Sequence, residues 1–225
     1  MDKNVTNNNS RGNPNEMLSL GLCDFDNIPI DNKNKNIVKN VRNEIMNEAV
    51  KWCEENIKGF NVSVNTDELG NIIITGDCYI DNPNLVELPY KIHKVDGNFS
   101  VCGDATIPRV MNLKSLKNFP RIVTGNFKIN LNHGLTSLEG GPVEVGGYYN
   151  CAHCNLKTLD GIAKKIGQYI VAYKNPLENI DILSDIEFSN IDLEYCDNIY
   201  ESAVYKQLVN MKKVYVNFLQ AEYNS

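Results

Sequence analysis

An α/β repeat fold follows from three observations in this 225-residue sequence. One unit is written three times between Gly125 and Ile180, at spacings of 22 (Gly125 to Gly147) and 21 residues (Gly147 to Gln168). Each copy joins a short alternating stretch to a pair of leucines or isoleucines three positions apart. An amphipathic helical pattern stands on either side of the repeats. The first copy reads Val123-Thr-Gly125-Asn-Phe127-Lys-Ile129, then Leu135 and Leu138-Glu-Gly-Gly-Pro142. The second reads Val145-Gly-Gly147-Tyr-Tyr149-Asn-Cys151, then Leu156 and Leu159-Asp-Gly-Ile162. The third is Ile166-Gly-Gln168-Tyr-Ile170-Val-Ala172, then Leu177 and Ile180. A period of about 20–29 residues with recurring Leu is the signature of a leucine-rich-repeat-like solenoid. The expectation is about six coils with a short parallel strand per coil, capped by an N-terminal helix and hairpin and by a C-terminal helix.

Taken in order, residues 1–16 are Asn-rich and have little to bury, so they read as a disordered tail. Residues 17–75 read as an arm, a capping helix and a hairpin. Met17 to Ile30 is apolar enough to dock as an extended arm. From Ile37 to Ile57 the apolar residues Val38, Val41, Ile45, Ala49, Trp52 and Cys53 form a helical stripe, with charged residues opposite and Gly59 as a stop. Phe60 to Val64 and Ile72 to Thr75 read as two strands joined by a turn at Asp67 to Gly70.

The solenoid itself is expected over residues 76–199. Weaker copies begin at Gly76-Asp-Cys78 and Val95-Asp-Gly97, and a last one is Ile191-Asp-Leu193. An insertion of about six residues, around Asp104 to Met111, is expected to bulge from its coil. Residues 200–225 read as a capping helix, from about Glu201 to Glu222, with Val204, Leu208, Met211, Val214, Phe218 and Leu219 on its apolar side.

Composition sets the function classes. The chain is 42% hydrophobic and 22% charged, with no apolar run long enough to span a membrane. Its N-terminus lacks the apolar core of a secretory signal, which leads to the expectation of a cytoplasmic protein. A reducing compartment would keep its seven cysteines as thiols. A net charge of −6 disfavours direct binding to nucleic acid.

The repeats resemble a leucine-rich-repeat-like family common among tailed bacteriophages and other mobile elements. The pattern that carries the resemblance is Gly-x-Phe-x-Cys, met here as Gly125-Asn-Phe127-Lys-Ile129 and Gly147-Tyr-Tyr149-Asn-Cys151, then Leu-Thr-Ser-Leu-Glu-Gly-x-Pro, then Val-Gly-Gly. It covers roughly Trp52 to Leu183 and is tightest from Leu135 to Gly147. The Trp-ending helix, the hairpin, Leu85-x-x-Leu88-Pro89 and Lys94-Val-Asp-Gly97 resemble the family's introduction. Cys78 at a usually aromatic position and the insertion before Leu113 depart from it. The resemblance implies a solenoid of phage origin, but no mechanism, because such proteins mostly carry no assigned activity.

Cys151-Ala-His153-Cys154 is a candidate zinc motif, since thiolate and imidazole suit a tetrahedral site. No second Cys-x-x-Cys completes it, and the repeat register assigns Cys151 to an inward position. The register also puts Cys154 at the ladder position held by Asn132, Asn175 and Cys196. Cys154 with His133 is a candidate nucleophile and base on adjacent coils. Neither reading displaces the ladder, so no metal, cofactor or catalytic residue is expected. With Tyr149 and Cys151 inward, alternation turns Tyr148 and Asn150 outward, and with them Asp77, Tyr79, Asn126, Lys128, Tyr169, Val171, Asp192 and Glu194. Tyr173 and Tyr195 lie just past the strands.

The expected binding surface is therefore Lys128, Tyr148, Asn150, Tyr169, Val171, Tyr173, Asp192, Glu194 and Tyr195 on a concave sheet face. Between Asn175 and Tyr205 there are eight Asp or Glu and no Lys or Arg. The leading expectation is a non-enzymatic protein-binding module of phage origin. Its partner would be a host protein, with inhibition of a bacterial defence system as one role. The alternatives are a hydrolase or transferase with a Cys/His site, and a structural virion-associated protein.

Overall fold

The structure, a computed structural model, describes residues 35–102 and 111–215, with side chains from residue 39 onward. The 1–16 tail, the Met17 to Ile30 arm, residues 104–110 of the insertion, and Phe218 and Leu219 lie outside the described residues. The chain forms two compact units, Met1–Asn47 and Glu48–Ser225. In the first, the described residues 35–47 are all helix. That helix, α1, runs Lys35–Asn56, close to the predicted span.

The second unit has an α/β architecture in which, among the described residues, twelve strands form one mostly parallel sheet. The last turns of α1 bury Ala49 and Cys53, and Trp52 meets Tyr90 edge to face with centroids 6.4 Å apart. Strand β1 (Lys58–Thr66) then pairs antiparallel with β2 (Ile72–Tyr79), as the hairpin signals predict. Asp67 Oδ1 accepts from the Leu69 and Asn71 amides (2.9 and 2.8 Å), and Gly70 supplies the positive φ of 79° that the turn needs.

From β2 onward two parallel ladders run side by side. The start of β2 pairs with β3 (Ile92–Asp96), and its end pairs with β4 (Phe99–Ser100). The first ladder continues through β5 (Ile122–Val123), β7 (Glu144–Val145) and β9 (Lys165–Ile166). The second continues through β6 (Phe127–Lys128), β8 (Tyr149–Asn150), β10 (Ile170–Val171), β11 (Ile191–Asp192) and β12 (Val214–Tyr215). The three clear repeats, and the Val95 copy before them, thus each carry two short strands, where the sequence reading expects one. The bend between them falls at Gly125 and Gly147. A Cβ on Gly147 would sit 2.1 Å from Asn126 Oδ1 and 2.9 Å from the Gly125 carbonyl carbon, so the units close up only without one.

The inward columns make the core. Phe99, Phe127, Tyr149, Ile170 and Ile191 are in register and fully buried. Phe99 stacks on Phe127 at 6.2 Å and Phe127 meets Tyr149 at 4.9 Å. Burial of each such side chain contributes about 1.5–3 kcal/mol. Leu135, Leu138, Leu156, Leu159, Leu177 and Ile180 are buried as the repeat predicts.

A turn recurs at one position in four successive units. Leu131, His153, Lys174 and Tyr195 all have left-handed φ, between 53° and 64°. The next residue satisfies the backbone that this turn exposes. Asn132 Nδ2 donates to the Val101 and Ile129 carbonyls (3.0 and 2.8 Å) while its Oδ1 accepts from the Leu113 amide (3.2 Å). Asn175 does the same with Cys151, Ala172 and Leu156. Between them the Cys154 thiol donates to the Ile129 carbonyl at 3.3 Å, and the Cys196 thiol donates to that of Ala172 at 3.5 Å.

The C-terminal helix is shorter than predicted. Helix α2 spans Ala203–Asn210, capped by Ser202, whose side chain accepts from the Tyr205 amide. Met211 ends it and Lys212 turns left-handed (φ 56°). Val214 and Tyr215 then join the ladder beside Ile191 and Asp192 instead of continuing the helix. The unpaired edge of β11 outcompetes helical periodicity there, and β-branched Val suits it. No helix among the described residues is long and apolar enough to cross a membrane.

Candidate functional site

The outward face of the second ladder is built from residues that alternate with the buried columns. Pairing sets Tyr79, Ser100, Lys128, Asn150, Val171, Asp192 and Tyr215 in one row across the units. Two residues earlier lies a parallel row: Asp77, Asn98, Asn126, Tyr148 and Tyr169. All are exposed or half-buried, so the inward and outward assignment made from the sequence matches the observed burial.

The earlier row changes character along its length. Asp77 Oδ1 accepts from the Asn98 amide (2.9 Å), Asn98 Oδ1 from Asn126 (2.7 Å) and Asn126 Oδ1 from Tyr148 (3.0 Å). These side chains fasten the bend of one unit to the next. At Tyr148 the chain of bonds stops, and the Tyr148 ring lies on that of Tyr169 (5.0 Å, 9°). Lys128 Nζ sits 5.5 Å from the Tyr148 ring centre. A hydrogen bond to the Tyr148 side chain holds the Lys128 ammonium above the usual lysine range, against partial burial.

Farther along, Asp192 Oδ1 accepts from the Glu194 amide at 3.0 Å. Burial lifts the Asp192 carboxyl above its usual range; that amide opposes the shift and the Glu194 charge adds to it. Glu194 Oε1 is shut off from water and has no hydrogen-bond partner among the described residues. Tyr173 packs edge-on against His153 at 5.0 Å, and Lys174 Nζ approaches Tyr195 at 5.2 Å. Of the nine predicted residues, Lys128, Tyr148, Asn150, Tyr169, Val171 and Asp192 follow one another across adjacent strands, Glu194 is tied to Asp192, and Tyr173 and Tyr195 lie at the next bend, each against its own neighbour.

A cleft of about 740 Å³ opens at the Lys128 end, bounded by Tyr148 and Asn150 and by Phe60, Ser100 and Asn130. Sequence reasoning placed Phe60 only in the hairpin. Its 78% exposure, which nothing in the strand alternation announces, comes from β1 lying off the main run of the sheet.

The Cys151-x-His153-Cys154 residues diverge. Cys151 is fully buried in the inward column, His153 lies outside against Tyr173, and the Cys154 thiol is committed to the ladder. Burial pushes the Cys154 thiol up to about 12, so it stays protonated near neutrality. Among the described residues no three His, Cys, Asp or Glu side chains are grouped to hold a metal.

Compared with known families, curated proteins and solved structures, the chain matches no family model, no curated protein and no solved structure.

Proposed function

We propose that the repeats form a leucine-rich-repeat-like solenoid of about six coils whose outward sheet face binds another protein, without catalysing a reaction. The supporting observation is the change within the Asp77 row. Its first members are needed to fasten adjacent units, whereas Tyr148 and Tyr169 accept no such bond, yet present two stacked rings at the surface. Tyrosine supplies large, stiff contact area and is enriched where binding energy concentrates. The in-register advance of both ladders, unit by unit, supports the solenoid reading.

The acidic end, with Asp192 and Glu194, suits a basic patch on the partner. That the partner is a bacterial host protein, met in the host cytoplasm and belonging to a defence system, rests on the resemblance to phage repeats. The test is affinity capture from bacterial lysate, read by mass spectrometry. The intact chain is run beside a variant with Tyr148, Tyr169 and Tyr173 changed to Ala, whose fold is checked by circular dichroism. The expected result is a partner held by the first and lost by the second. A partner retained by the folded triple variant would move binding off this face.

A further inference from the structure

The row Lys128, Asn150, Val171, Asp192 sets a cation and a carboxylate on one line, three strand steps apart. Parallel neighbours lie about 4.8 Å apart, so the two charges are separated by about 14 Å. Between them the floor is an amide and a small apolar side chain, Asn150 and Val171. The Tyr148–Tyr169 stack borders that floor on one side, and Tyr173 stands on the other by register. Neither Lys128, Asp192 nor Glu194 forms an ion pair with another described residue.

An extended peptide advances about 3.4 Å per residue and turns every second side chain to the same side. Residues i and i+4 of such a chain are therefore about 14 Å apart and face the same surface, with i+2 midway. Those are the spacing and parity of this row. Resting on the binding role proposed above, we infer that the face receives an extended segment of a partner protein, laid across the strands. The segment carries an acidic residue over Lys128, an apolar residue two positions along against Val171 and the tyrosine stack, and a basic residue four positions along over Asp192 and Glu194.

The test uses defined peptides and the full chain. The probe is a fluorescein-labelled Ser-Glu-Ser-Leu-Ser-Arg-Ser peptide, followed by fluorescence polarisation. One control places Glu at both charged positions, and a second deletes one spacer so that the charges face opposite sides. The probe is expected to bind about fivefold more tightly than either control. Lys128→Glu alone, or Asp192→Lys with Glu194→Lys, is expected to remove the preference over the spacer-deleted control, which can then turn its one favourable charge to the face. Combining all three changes is expected to restore it, because the peptide then lies in the opposite direction. Restoration separates a charge match from damage to the fold.

Equal binding of probe and controls, no binding of any peptide, or no restoration in the combined variant would overturn the inference. A charge-dependent dimer of the chain in sedimentation equilibrium, with no peptide bound, would also overturn it and name a second copy as the occupant. The wider binding role is judged separately, by whether the tyrosine variant loses its captured partner.

Discussion

Tyr148 and Tyr169, consecutive members of one outward row, lie face to face with ring centres 5.0 Å apart and planes 9° apart. The residues before them in that row are asparagines and an aspartate, each occupied in holding the next unit's backbone. The face is thus structural at one end and unconstrained at the other, and the two parts answer differently to substitution.

Stacked aromatic pairs contribute about 0.5–1.5 kcal/mol beyond their buried area. A double-mutant cycle on folding stability with Tyr148→Leu and Tyr169→Leu is expected to give a coupling of about 1 kcal/mol. Urea denaturation supplies the four stabilities. A coupling near zero would mean that the rings do not rest on one another in solution.

Tyr149 continues the column of Phe99 and Phe127, but its hydroxyl is buried with no hydrogen-bond partner among the described residues. Burial drives its pKa well upward, as expected for a phenol with nothing to stabilise its anion. Removing an unsatisfied buried polar group regains its desolvation cost, about 1–3 kcal/mol. Tyr149→Phe is expected to raise stability by about 1–2 kcal/mol in urea or thermal unfolding. A loss of stability would reveal a partner for the hydroxyl, such as a buried water.

The ladder position alternates Asn132, Cys154, Asn175 and Cys196, and the two residue types do unequal work. Asn132→Ala strands the Val101 carbonyl and the Leu113 amide in the interior and leaves the Ile129 carbonyl only the Cys154 thiol, at a cost on the order of 3–5 kcal/mol. Cys154→Ala removes one weak thiol bond and a small apolar volume, costing about 1–2 kcal/mol. Urea midpoints of the two variants would rank them. Equal losses would show that packing, not hydrogen bonding, holds these turns.

Asp192 carries the pH prediction. Its folded pKa is raised by burial above its usual value of 3.8, so the folded state binds the proton more tightly than the unfolded chain. Its contribution to stability is therefore best at low pH and falls as pH rises from about 3.8 through the raised folded value. Asp192→Asn keeps an oxygen to accept the Glu194 amide and removes the charge. The variant is expected to be more stable than wild type at pH 7, with the difference shrinking as pH is lowered through that window. Parallel stability profiles for the two proteins would show that Asp192 titrates alike folded and unfolded.

The α/β class, the hairpin, the helix from about Ile37 to Ile57 and the inward columns were all legible, because each depends on residues a few positions apart. Alternation around Tyr149 fixes which neighbours face out, and the repeat period fixes that Cys154 shares its place with Asn132 and Asn175. What extends across units was not legible. That Asp77 holds Asn98, Asn98 holds Asn126 and Asn126 holds Tyr148 depends on the register of strands 21 to 28 residues apart.

The same is true of the second strand in units such as Ile122–Lys128 and Glu144–Asn150, where glycines at the bend let adjacent backbones touch, and of the shortened C-terminal helix. From Val204 to Val214 the sequence offers a helical stripe, but Val214 and Tyr215 lie beside the open edge of Ile191 and Asp192 and pair with it. The sequence by itself determined the repeat, its core and the side on which each residue falls. Only the tertiary structure decided which outward residues fasten the units and which are left over, because a hydrogen bond between units has no signature in the spacing of either one.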